Sequence, residues 1–98
     1  MLPDPPNIVD ISVNKTVNES DTVVLNCTAV ANPTASITWT RVSDNSPVSF
    51  PLSITGKHDE GGYRCTAENS IQDPAMKTTY ISVQSEQKIV SHLEFYIN

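Results

Sequence analysis

The sequence predicts an all-β fold, an antiparallel sandwich or barrel. Three observations carry the prediction. Apolar and polar residues alternate with a period of two in several short runs. Those runs are broken at short intervals by Pro, Gly, Asn and Asp. No stretch shows the i, i+3, i+4, i+7 apolar stripe of an amphipathic helix. The chain has 98 residues, of which 38% are hydrophobic. That is enough for one domain, with a core small enough for a covalent staple to matter.

Taken in order, the segment from Leu2 to Asn7 holds three prolines and reads as an extended edge or linker. A first, irregular strand is expected over 8–13. The strongest strand signal is Thr22 to Val30. Val23, Leu25, Cys27 and Ala29 share one face there, and Thr22, Asn26 and Thr28 the other. Asn32-Pro33 is a turn pair. Over 37–42, Ile37 and Trp39 face together, opposite Thr38 and Thr40. Ser43 to Pro47 breaks the pattern, and Leu52 to Thr55 is a short strand ended by Gly56. Tyr63, Cys65 and Ala67 share a face in the run 62–68, and Ile81 and Val83 do so in 77–83. Leu25, Ile37, Trp39 and Tyr63 are the expected core. The domain is expected to span 5–84. Residues 85–98 read as a tail, a linker or added sequence, with strand-like Leu93 to Ile97 free to pair with an edge.

Charge narrows the functional classes. Six Lys and Arg face eleven Asp and Glu, a net charge of -5, so no basic stripe exists to neutralise a phosphate backbone, and nucleic acid is not an expected partner. No apolar run approaches the roughly 18–20 residues needed to span a bilayer. Membrane association is therefore expected only through a longer parent chain. Met1 to Pro6 has neither the basic nor the apolar region of a secretory leader. A secreted domain of this sequence is thus expected to be a mature fragment, with Met1 an added start.

Cys27 and Cys65 are the two cysteines, both on core-facing positions. A disulfide is the favoured state, and two reduced buried thiols, the default in a cytosolic protein, are the alternative. A metal site would need further ligands. His58 and His92 are the candidates, at no zinc-binding spacing, so no metal is expected.

Trp39 follows Cys27 on the same inward parity, and Tyr63 stands two positions before Cys65. This Cys…Trp…Tyr-x-Cys order, with three local phrases, resembles the immunoglobulin superfamily. Val17-Asn18-Glu19-Ser20-Asp21-Thr22-Val23-Val24-Leu25-Asn26-Cys27 is similar to Val-x-Glu-Gly-x-x-Val-x-Leu-x-Cys, with Ser20 for the turn glycine. Ala31-Asn32-Pro33-Thr34-Ala35-Ser36-Ile37-Thr38-Trp39 is similar to Ala-x-Pro-x-Pro-x-Ile-x-Trp, with Ala35 for the second proline. Asp59-Glu60-Gly61-Gly62-Tyr63-Arg64-Cys65-Thr66-Ala67-Glu68-Asn69 is similar to Asp-x-Gly-x-Tyr-x-Cys-x-Ala-x-Asn.

The resemblance is to I-set or C2-like domains of adhesion molecules and cell-surface receptors. It implies a two-sheet antiparallel immunoglobulin-like sandwich, pinned by Cys27–Cys65 with Trp39 packed beside the bond. It also implies a tyrosine corner at Asp59, Gly61 and Tyr63. The interval between the cysteines is short for the family, so a variant with an abbreviated C′/D region and a tight E–F corner is expected. The family's Arg partner for Asp59 is not evident in the sequence; Lys57 is the nearest cation.

Function follows from what the surface can offer. Three glycosylation sequons begin at Asn14, Asn18 and Asn26. They favour an extracellular or cell-surface glycoprotein. The plainer reading makes Asn14 and Asn18 turn formers and Asn26 a solvated strand residue. The face carrying Thr38, Thr40, Arg64, Thr66 and Tyr80 is the candidate protein-binding surface, because Tyr and Arg are enriched at binding hot spots; an ordinary solvated face is the alternative. No Gly-x-Ser-x-Gly or His-Glu-x-x-His motif occurs, and His58-Asp59 is better explained by the corner turn. The carboxylates, among them Glu60, Glu68 and Asp73, do not follow an EF-hand spacing. No enzyme activity and no cofactor are expected. The expected role is protein recognition, in adhesion or a receptor ectodomain, with a second copy or another family member as partner. The rival role is an intracellular structural spacer with reduced cysteines.

Overall fold

A computed structural model describes residues 2–84. It is all-β apart from one 3-10 turn. The strands are β1 (Asp4–Ile11), β2 (Lys15–Asn18), β3 (Thr22–Val23), β4 (Cys27–Asn32), β5 (Ser36–Arg41), β6 (Pro47–Val48), β7 (Leu52–Ser53), β8 (Gly61–Glu68) and β9 (Ala75–Gln84), and the turn is Lys57–Asp59. The expected tail and its strand-like Leu93 to Ile97 lie outside the described residues.

Two layers result. One is a five-stranded sheet in the order β2-β9-β8-β5-β6. The other consists of the pairs β1-β4 and β3-β7, laid end to end because β3 and β4 belong to one run of chain. The parity of that run holds throughout. Val23 and Leu25 are buried and Cys27 and Ala29 half-buried, while Thr22, Val24, Asn26 and Thr28 are exposed. The ladder itself is broken. Ser12 accepts the Asn26 N–H on its Oγ at 2.8 Å and gives its own N–H to the Asn26 carbonyl at 2.9 Å.

Between the layers lie Ile8, Val23, Leu25, Trp39, Ile54, Tyr63, Cys65, Ala67, Ile81 and Val83. The Cys27–Cys65 disulfide joins the layers across this core, with a sequence separation of 38. Trp39 is 9% exposed. Its open flank is covered by Phe50, whose ring meets the indole edge-on at 5.5 Å.

Two expectations are corrected. Instead of one strand over 8–13, the chain forms β1 and then crosses to the other layer as β2, which runs parallel to β9. Pro5 and Pro6 sit where the β1–β4 register shifts between Asp4 and Asn7, so their missing N–H groups interrupt no regular ladder. Ile37, expected in the core, is 38% exposed. Among the described residues β6 pairs with Trp39 and Thr40 and no further on β5, and none of them covers the flank of β5 beyond Trp39. There Ile37, Trp39, Val48 and Phe50 line an open groove of about 480 Å³. The abbreviated region is otherwise as expected: β6 and β7 have two residues each, and among the described residues no strand lies between them.

Ser20, in place of the turn glycine, has φ 82°. A side chain costs roughly 1 kcal/mol in that conformation. Ser20→Gly in bacterially produced protein is therefore expected to raise stability by about 1 kcal/mol, read from the urea midpoint. Replacing both cysteines by Ala is expected to cost about 4 kcal/mol, the loop-closure term for this separation, in urea unfolding followed by Trp39 fluorescence.

Candidate protein-recognition face

The outward face of the five-stranded sheet collects the residues predicted to bind a partner. Antiparallel register sets Thr38 opposite Thr66 and Thr40 opposite Arg64 on β5 and β8. It then sets Arg64 opposite Thr78, Thr66 opposite Met76, and Gly62 opposite Tyr80 on β8 and β9. Cross-strand partners project to the same side, so these side chains form one surface. Thr38 is exposed, and Thr40, Arg64 and Thr66 are half-buried. Tyr80 and Met76 are 55% and 57% exposed. Arg64 donates to Asn45 Oδ1 at 3.1 Å, which fixes its guanidinium on this face.

Three contributors escape sequence reasoning. A Cβ on Gly62 would meet Tyr80 Cε2 at 3.2 Å and Val42 Cγ2 at 3.1 Å. The glycine is therefore the seat over which the Tyr80 ring and Val42 close. Val42 is 39% exposed, continues the Thr38–Thr40 parity, and gives its N–H to the Gly62 carbonyl. Met76 belongs by its register opposite Thr66. Parity along β9 marks Met76 in retrospect, and parity carried on from β5 marks Val42, whereas the Gly62 seat depends on cross-strand register that no local pattern reveals.

Behind the face, the corner residues hold the sheet rigid. Tyr63 is 1% exposed, and its hydroxyl donates to the Asp59 carbonyl. Gly61, at φ +143°, supplies a backbone conformation that other residues rarely adopt. The cation for Asp59 is Arg41, not Lys57. Arg41 Nη2 donates to Asp59 Oδ1 at 3.1 Å and Nη1 to the Tyr63 hydroxyl at 2.9 Å. Lys57 pairs with Glu60 at 3.2 Å instead, because its side chain points to solvent from the 3-10 turn. Arg41 continues the Ile37–Trp39 parity, a signal that a charged residue at a strand end conceals. Asp59 also accepts the Thr55 N–H on Oδ2 at 2.8 Å. Burial pushes its carboxyl up, but the Thr55 N–H and the Arg41 guanidinium outweigh that and leave it below its ordinary value of 3.8. His58 lies on the surface against Thr55 Oγ1.

The sequon asparagines Asn14, Asn18 and Asn26 are all exposed. Asn14 is not a simple turn former. Its Oδ1 accepts the Tyr80 N–H at 3.1 Å and the Thr79 hydroxyl at 3.3 Å, tying the β1–β2 crossing to the edge of β9.

Together these features define a disulfide-pinned β-sandwich that presents a rigid, mixed apolar and hydroxyl face. The chain belongs to the immunoglobulin domain family: the family model matches residues 5–69. Such domains are generally non-enzymatic binding modules. The chain is 33% identical over 78 residues to MAM domain-containing glycosylphosphatidylinositol anchor protein 2 of Mus musculus. The match takes in 69% of this chain and only 8% of that protein. Among solved structures, Dpr2 Ig1-Ig2 in complex with DIP-Theta Ig1-Ig3 matches with a TM-score of 0.72 and 25% identity. That match covers 83% of this chain and 32% of the other. A chimeric titin Z1Z2 carrying a decorin peptide matches with a TM-score of 0.70 and 25% identity, over 87% of this chain and all of that one.

The sign of the Asp59 shift sets a pH dependence. A carboxylate held below its unfolded value stabilises the fold above that value, and the contribution is lost as pH falls through the folded one. Urea midpoints are expected to drop below about pH 4, and to drop less in Asp59→Asn. Arg41→Met is expected to cost roughly 2 kcal/mol at pH 7, since it strands a buried, hydrogen-bonded carboxylate.

Proposed function

We propose that this domain is an extracellular protein-recognition module, part of an adhesion molecule or receptor ectodomain. It binds through the outward face of the five-stranded sheet. The observation that carries the reading is the face itself. Tyr80 and Met76 stand more than half exposed beside Val42 and a field of threonine hydroxyls. Large exposed apolar groups set among polar ones on rigid strands are the chemistry of a protein contact.

Supporting the location, a disulfide persists in oxidising compartments, and the mouse relative is, by name, a glycosylphosphatidylinositol anchor protein. Supporting the partner class, the Dpr2 structure is of one immunoglobulin-domain protein in complex with another. A second copy of this domain is the first partner to test, followed by another member of the family.

The titin likeness favours a second reading, an intracellular spacer that bears load. Thiol titration of protein taken from its native source separates the two: a spacer kept in the cytosol carries two free thiols, and a secreted domain carries none.

Beads coated with the folded domain are expected to cluster with one another or to capture beads coated with a family member. Tyr80→Ala with Arg64→Ala is expected to weaken that capture by about tenfold or more, the range of a hot-spot pair, at unchanged urea midpoint. Unchanged clustering in the double variant would reject this face.

A further inference from the structure

The asparagines of this domain divide by what their amide nitrogens do. Asn32 Nδ2 donates to the Leu2 carbonyl at 2.9 Å. Asn69 Nδ2 donates to the carbonyls of Asp4 and Pro33 at 2.8 and 2.9 Å. Neither heads a sequon: Asn32 is followed by Pro33, which bars the motif, and Asn69 lacks a hydroxyl residue two positions on. Asn14 is the converse. It heads Asn14-Lys15-Thr16, and its Oδ1 takes the two hydrogen bonds from β9. Among the described residues its Nδ2 donates to no acceptor. Asn14, Thr16 and Asn18 are exposed along β2, while Val17 turns toward the core.

From this we infer that Asn14 is an N-glycosylation site, with a glycan that walls the β2–β9 edge of the recognition face beside Tyr80. The donor class is a lipid-linked oligosaccharide pyrophosphate. Nδ2 forms a bond to the anomeric carbon and loses one of its two protons. The bond from that carbon to the pyrophosphate oxygen breaks, and the lipid pyrophosphate leaves. Oδ1 is untouched, so both bonds to β9 survive and the stem of the glycan is fixed in place. Asn14 Oδ1 bonds to the backbone N–H of Tyr80 itself, so the first sugar stands next to the ring that dominates the face. Asn26 lies on the other layer and cannot shield it. Partners are then confined to approach from the side of β5 and β6. The glycan rests on the extracellular location proposed above and not on partner binding; its role in directing partners rests on both.

The test uses the whole chain secreted from a eukaryotic host, with Thr16→Ala as the comparison. That variant removes the sequon and keeps the Asn14 amide. Peptide mapping by mass spectrometry is expected to show a glycan on Asn14 in the parent and none in Thr16→Ala. Bare Asn14 in the folded, secreted parent overturns the site. Nitration by tetranitromethane then probes shielding, with the buried Tyr63 as a check that both proteins are folded. Tyr80 is expected to nitrate several-fold more slowly in the parent than in Thr16→Ala. Equal rates overturn the wall. Neither measurement uses a binding partner, so a face that captures nothing is a separate failure.

Discussion

Ten apolar side chains make up the buried core of the described residues, too few to hold two layers of short strands in register by burial alone. The constraint that completes the fold is the Cys27–Cys65 bond. It ties β4 to β8, one strand from each layer, and so fixes the separation at which every other contact is made. Trp39 packs at that separation, with Phe50 set edge-on against it where a further strand would otherwise lie. The loop so closed is long, and this is where a cross-link restricts the unfolded chain most.

A second fastening works at the end of the sheet. Arg41 reaches from β5 to both Asp59 and Tyr63, and Tyr63 returns a bond to the Asp59 backbone. Three side chains from three elements, β5, the 3-10 turn and β8, thereby satisfy one another in a partly buried place. Rigidity here has a use beyond stability. A flat strand face binds well when little side-chain freedom is lost on contact, and Arg64 and Tyr80 are both held before any partner arrives, one by Asn45 and the other across Gly62.

Much of this was legible in the chain because alternation is a local signal. Leu25, Tyr63 and Cys65 could be assigned to the interior, and Thr38, Thr40 and Tyr80 to the outside, by counting in twos. Ile37 shows the limit of the method. Parity fixes the direction of a side chain but not whether anything lies opposite, and among the described residues the shortened β6 leaves that position uncovered. Arg41 shows the converse, an inward position occupied by a charge whose partner is 18 residues away. β2 escaped because Lys15-Thr16-Val17-Asn18 carries one apolar residue, and its pairing is made by backbone and by the Asn14 carboxamide. Neither is visible without the neighbouring strand.

The parallel pairing of β2 with β9 has a mechanical corollary. Lys15 lies beside Ile81 and Asn18 beside Gln84, so the chain enters the pair at one end and leaves it at the other. Tension between the segment before Lys15 and the segment after Gln84 drags the two strands lengthwise past each other. The rungs of that ladder are strained simultaneously and not peeled apart singly. A domain strung between neighbours would resist pulling through this short clamp, whatever it grips on its outer surface.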